Sequence, residues 1–249
     1  MARGAWKPPP ASTQAAMGKI LPLLLLAASL LASGGIPAQE TSQQAMEDWF
    51  NDDSAARIAA VNEGQLTFLR QPPPKPVHHH HNIITITDAT VADGWALLQQ
   101  CHEHLDKVPS TQIVFRPERV RALDIVSHRA IGKAWVEGAT VQLRDIGPEA
   151  RICLKLHSQV MLKNTDGTYH VNNGPFMRRF FDGYYPMRVS MEVRLRTNKL
   201  RYLDITPASQ DGFKVEASRR QVKFDVWFEG RLQTLIRFTP APENTKNPA

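Results

Sequence analysis

The chain is poor in cysteine and carries no complete catalytic fingerprint. Two Cys among 249 residues exclude a small scaffold held together by many disulfides. Gly-x-Gly-x-x-Gly, the P-loop, Gly-x-Ser-x-Gly and Ser-x-x-Lys are all absent. The zinc-protease pattern His-Glu-x-x-His is absent too, because the HEHLD stretch at 102–106 places Asp106 where the second His belongs. No Gly-x-y period or sustained heptad occurs, which removes collagen and coiled coil. A polytopic membrane protein is removed by the presence of one long apolar run only.

Acidic residues are also missing from the first 39 positions, and this absence is informative. Residues 20–33 (ILPLLLLAASLLAS) form the apolar run, preceded by Arg3, Lys7 and Lys19, with the first acid at Glu40. A basic start, a short apolar centre and a small-residue exit make a secretory signal. It is expected to occupy 1–38, with cleavage after Ala38 or, alternatively, after Gly34. The run is too short and too interrupted by Pro22, Ser29 and Ser33 for a membrane span. No Cys stands at its exit and no Arg pair precedes it, which points to Sec-type export to the periplasm without a lipid anchor and without a stable span after cleavage.

Removing 1–38 lowers the net charge from +6 to +3, with 27 bases against 24 acids. Such a mild excess suits an anionic envelope surface, and export argues against nucleic acid as a partner.

Beyond the signal, residues 39–76 read as a short helical and strand segment ending in a linker. The linker QPPPKPVHHHH has Pro at four of five consecutive positions, which imposes an extended connector. A β-rich domain is expected over 77–239 and a disordered tail over 240–249. Within the domain, Met187, Val189, Met191, Val193 and Leu195 alternate with polar residues, the period of a strand with one wet face. Turn dipeptides at Asp182-Gly183, Thr197-Asn198 and Asp211-Gly212, and the Asn164–Gly167 turn, separate such runs. One helix is expected to interrupt them, capped by Asp88 or Asp93 and closed by Pro109, with Val91, Trp95, Leu98 and Leu105 on its apolar face. The fold class is therefore mainly β, an antiparallel sandwich or partly closed barrel with one packed helix.

Three groups of residues carry chemistry. Cys101 and Cys153 form a candidate disulfide, permitted by export and expected to join the helix to the sheet; two buried thiols are the other reading. His102 and His104 are weak metal candidates. With Cys101 they form the alternative reading, a metal-binding protein or enzyme, but one helix face offers at most two ligands where a structural site needs about four. The third group is GPFMRRFFDGYYPMR at 174–188. Here Phe176, Tyr184 and Tyr185 offer rings, while Arg178, Arg179 and Arg188 offer forked donors for carboxylate or phosphate. Rings with guanidinium groups suit an envelope protein, a glycan or an anionic surface. Trp227, Phe228 and Arg231 form a second cluster of this kind. The sequence thus leads to a non-catalytic exported binding module that requires no cofactor.

Overall fold

Successive side chains of a strand leave on opposite faces, so each alternating run must bury one side against another layer. The computed structural model describes residues 63–242. In chain order its elements are β1 (Thr67–Leu69), β2 (His79–Thr87), helix α1 (Asp88–Asp93), β3 (Trp95–Leu105), β4 (Ser110–Val114), a 3-10 turn (Pro117–Arg119), β5 (Val120–Glu137) and β6 (Thr140–Gln159). They continue with β7 (Met161–Lys163), β8 (Tyr169–Phe176), β9 (Arg178–Phe180), β10 (Gly183–Tyr185), β11 (Met187–Arg196), β12 (Leu200–Thr206), β13 (Val215–Ala217), β14 (Gln221–Glu229) and β15 (Leu232–Pro240). The signal, the helices expected within 41–62 and the tail beyond Pro242 lie outside the described residues.

Two sheets form the sandwich. The larger runs β1-β14-β11-β2-β3-β6-β4, with β13 paired to β14 and β5 to β6; the smaller runs β12-β15-β8-β7. Pairing is antiparallel except between β2 and β11. The core between the sheets takes the inward set of β11, from Met187 to Leu195, with Val222, Phe224, Val226 and Phe228 of β14. Leu232, Ile236 and Phe238 of β15 meet them. Each such side chain, fully buried, contributes roughly 1.5–3 kcal/mol.

A second core lies within the sheet's far end. β5 and β6 form a long hairpin whose strands shift register three times, and Ala122, Ala130, Asp145 and Glu149 take positive φ along it. Such bulges bend a strand and increase its twist, and this hairpin packs Val141, Leu143, Ile152 and Leu154 with Ile113 and Phe115.

The expected helix, capped by Asp88 or Asp93 and closed by Pro109, is corrected: it spans only Asp88–Asp93, and β3 follows. Thr87 and Thr90 form a reciprocal capping box at its start. Gly94 ends it at φ +80°, where a Cβ would lie 2.5 Å from the Met161 carbonyl oxygen. The Asp93-Gly94 dipeptide marks this turn in the sequence. Beyond it, Ala96, Leu98, Gln100 and His102 alternate inward, and pairing to β2 and β6 on either side outweighs local helical spacing.

The placing of the histidine run within the extended connector is corrected as well. His79, His80 and His81 begin β2, between β11 and β3, and His79 is only 9% exposed.

Cys101 and Cys153 stand opposite each other on β3 and β6, with Cα atoms 4.1 Å apart, and form a disulfide. It joins two strands rather than a helix and a sheet. Closing a loop of separation 52 stabilises by about 4 kcal/mol in the chain-entropy model. Replacing both Cys by Ala is expected to lower the thermal midpoint by about 10 °C; an unchanged midpoint by calorimetry would show that the bridge contributes little.

Candidate functional site

The inward face of β2 changes character along its length. Ile86 and Ile84 lie in the apolar core, while Asn82, His80 and His78, two residues apart, continue the same face towards the strand's start. On β3, Gln100 stands opposite Asn82, and His102 opposite His80. These side chains line a cleft of about 430 Å³, together with the ends of β4 and β8 and the adjoining Phe115, Arg116 and Met177.

The three imidazoles are packed on one another. His80 and His102 stack with ring centres 4.3 Å apart, and the edge of Phe176 meets His80 at 4.9 Å. His78 Nε2 and His102 Nδ1 share a hydrogen bond of 3.2 Å, and the Gln100 amide donates to His80 Nε2. Burial is the main cause that pushes all three down. His78 falls to about 4, with Arg178, His79 and His104 lowering it further against the opposing pull of Asp106; His102 falls to about 3, helped by His78. His80 lies well below its ordinary value. At neutral pH the cleft is therefore lined by uncharged rings.

Several buried polar atoms here make no hydrogen bond of good geometry among the described residues, although the Asn82 side chain lies close enough to His80 to raise it slightly against burial. Asn82 Oδ1, Gln100 Oε1, His102 Nε2 and Asn173 Nδ2 are buried and unpaired, and all four residues line the cleft. A buried unsatisfied group costs about 1–3 kcal/mol. Natural sequences rarely concentrate such costs in one place without a use for them.

The hairpin of β9 and β10 stands beside the cleft and contains the residues singled out by composition. Arg178 donates to both oxygens of Asp106, at 2.6 and 3.3 Å, which ties the hairpin to the segment after β3. Its guanidinium also lies over the Phe180 and Tyr185 rings, and that of Arg179 over Tyr184. Tyr185 donates its hydroxyl proton to Asp182. Phe181, in the turn, is fully exposed, and Phe180, Met177 and Val114 are exposed large apolar residues. Phe176 is instead buried against His80. Arg188 pairs with Asp225 and covers Trp227, so its fork is already occupied. Phe228 is core, which leaves Arg231 as the exposed member of that second cluster.

The metal candidates do not assemble. Cys101 is bonded to Cys153, so it has no thiolate to offer. Ring lone pairs lie in the ring plane, so stacked His80 and His102 cannot converge on one ion, and no group of three ligating side chains surrounds a common point among the described residues.

On the opposite face of the larger sheet, a polar ladder crosses five strands. Arg151 donates to Glu103 at 2.8 Å, Glu103 meets His79 Nδ1 at 3.1 Å, and His79 Nε2 meets the Ser190 hydroxyl at 2.7 Å. Ser190 in turn donates to Asp225 at 2.9 Å. Burial pushes the Glu103 carboxyl up, but hydrogen bonds from Arg151 and His79 prevail and hold it below its ordinary value. The order carboxylate, imidazole, hydroxyl is that of a hydrolytic triad. Ser190, however, lies within β11 between two registered strands and turns its one proton to Asp225. This geometry joins strands and does not present an activated nucleophile.

A larger opening of about 680 Å³ is bordered by Lys199, Arg201, Arg219 and Arg220. Those four bases are exposed, and none of the unpaired buried atoms borders it. The histidine cleft is thus a candidate that sequence reasoning missed, and the neighbouring hairpin contains the segment it singled out. No protein-family model matches this chain, and no curated protein matches it in sequence.

Proposed function

We propose that this protein is a non-catalytic binding module of the bacterial periplasm, exported through its Sec-type signal, that engages an envelope partner through the β9–β10 hairpin and the adjoining cleft. The observation that carries this reading is the apolar surface of Val114, Met177, Phe180 and Phe181. A fully exposed Phe at the tip of a hairpin held by the Arg178–Asp106 pair has little to contribute to this fold, whereas large apolar rings are the usual anchors of interfaces. Arg179 adds a cationic element beside the rings, and the hairpin belongs to neither main sheet.

The test is site-specific photo-crosslinking in cells. A crosslinking amino acid replaces Phe181 in one strain and Leu203, an exposed apolar residue on β12, in another. A discrete adduct from position 181 and none from 203 is expected. Absence of an adduct at 181, or the same adducts from both positions, would reject the hairpin as the contact surface.

A further inference from the structure

We propose that the cleft receives an extended, acidic segment of a partner protein, which adds as a strand to the open edge of β4 and reaches the unpaired amides and imidazole at the cleft floor. This rests on the reading of the chain as a binding module and names the chemistry of what it binds.

Three observations support it independently. The first is the edge. Among the described residues β4 ends the strand order of the larger sheet and pairs with β6 alone, in continuous register from Ser110 to Val114. Its sequence, Ser-Thr-Gln-Ile-Val, contains no charge, no Pro and no bulge. Those are the devices that protect exposed edges from pairing with other chains. Val114 is 64% exposed and, with Ile113, carries the edge into the cleft.

The second is the floor. Asn82 Oδ1 and Gln100 Oε1 accept protons and Asn173 Nδ2 donates one, while His102 Nε2 serves either role according to its tautomer. An extended backbone presents N–H and C=O groups in alternation and supplies both kinds of partner at strand spacing. Three of these side chains, Asn82, Gln100 and His102, are at most 7% exposed. A bound segment would thus remove costs that the free fold bears.

The third is charge. Arg116 and Arg119 border the cleft, neither has an acidic partner among the described residues, and no Asp or Glu lines it. The imidazoles are uncharged, and Asp106 and Arg178, which both act on His78, pair with each other. Glu118 lies between the two rim arginines without an ion-pair partner among the described residues, so Arg116 and Arg119 leave a net positive charge at the rim, which favours a segment bearing carboxylates.

The experiment selects a phage-displayed library of random linear peptides on the purified protein and follows the enriched sequences as synthetic peptides. Peptides carrying Asp or Glu are expected. They should slow amide hydrogen exchange across Ser110–Val114 and bind about tenfold more weakly to Asn82→Leu. They should also lose affinity for Val114→Asn and for the pair Arg116→Gln and Arg119→Gln, which alter two exposed positions and one half-buried one outside the core. Failure to enrich peptides, protection elsewhere than β4, equal binding by these variants, or protection of β4 by soluble oligosaccharides instead would overturn the proposal. Because no hairpin residue is altered, this outcome is separate from the crosslinking test at position 181.

Discussion

Replacing Asn82 by Leu is expected to raise the stability of this protein while weakening its peptide binding about tenfold. Core polar substitutions ordinarily destabilise a fold, but the Asn82 carbonyl oxygen is buried and unpaired. Removing it relieves a cost of about 1–3 kcal/mol. Leu fits a strand whose inward neighbours include Ile84 and Ile86, so the expected rise in thermal midpoint is several degrees. Gln100→Met is the companion, since it keeps the side chain's length and removes the unpaired Gln100 Oε1. It also removes the amide that serves His80, and a smaller gain is expected from it. Denaturant titration of both variants, compared with affinity for a selected peptide, separates the two roles. A destabilised Asn82→Leu would show that the amide holds the fold and would remove the floor from the proposed site.

Acid is expected to weaken the fold well before its carboxylates are neutralised. His78 and His102 have folded values near 4 and 3, against 6.5 in the unfolded chain. A depressed value means that the unfolded state binds more protons between the two values, so stability rises with pH there. The contribution is complete above about pH 6.5 and is lost as pH falls from there through the folded values. At pH 5 each imidazole has forfeited about 2 kcal/mol, and the hydrogen-bonded pair together about 4 kcal/mol. His102→Phe keeps an aromatic ring against His80 without a titrating nitrogen, and because His78 and His80 stay depressed it should flatten the drop between pH 7 and pH 5 by about a third at most. Urea midpoints across that interval give the measurement. A wild-type midpoint that does not move between pH 7 and pH 5 would mean that these rings are not held neutral.

The sheet was legible because its strands alternate between unlike residues. Met187 to Leu195 announce their inward face by chemistry alone, and the structure buries that set. The turn dipeptide Asp182-Gly183 likewise located the β9–β10 hairpin. The histidine run was illegible for the opposite reason: identical residues carry no parity, so nothing within HHHH says which rings face inward. Only the phase of Ile84 and Ile86, carried backward through Asn82, assigns His80 and His78 to the buried face. The preceding prolines drew that run into the linker instead. Residues 95–105 were ambiguous because Leu98, Cys101 or His102, and Leu105 satisfy helical spacing while Ala96, Leu98, Gln100 and His102 satisfy the strand period. The β2 and β6 neighbours, distant in sequence, resolve it. For the same reason the cleft could not be read from any one segment: it joins β2, β3, β4 and β8, and its unpaired atoms are visible only when all four are in place.

The most direct measurement places a photo-crosslinking amino acid at Val114 or at Phe181 in cells and identifies the adducts by mass spectrometry. One and the same partner is expected from both positions, linked through an acidic extended segment at 114, and the yield of the adduct at 114 should fall several-fold when Asn82→Leu is added to a chain that still folds. Different partners at the two positions, no adduct at 114, or an undiminished adduct there in the Asn82→Leu background would contradict the cleft as the binding site.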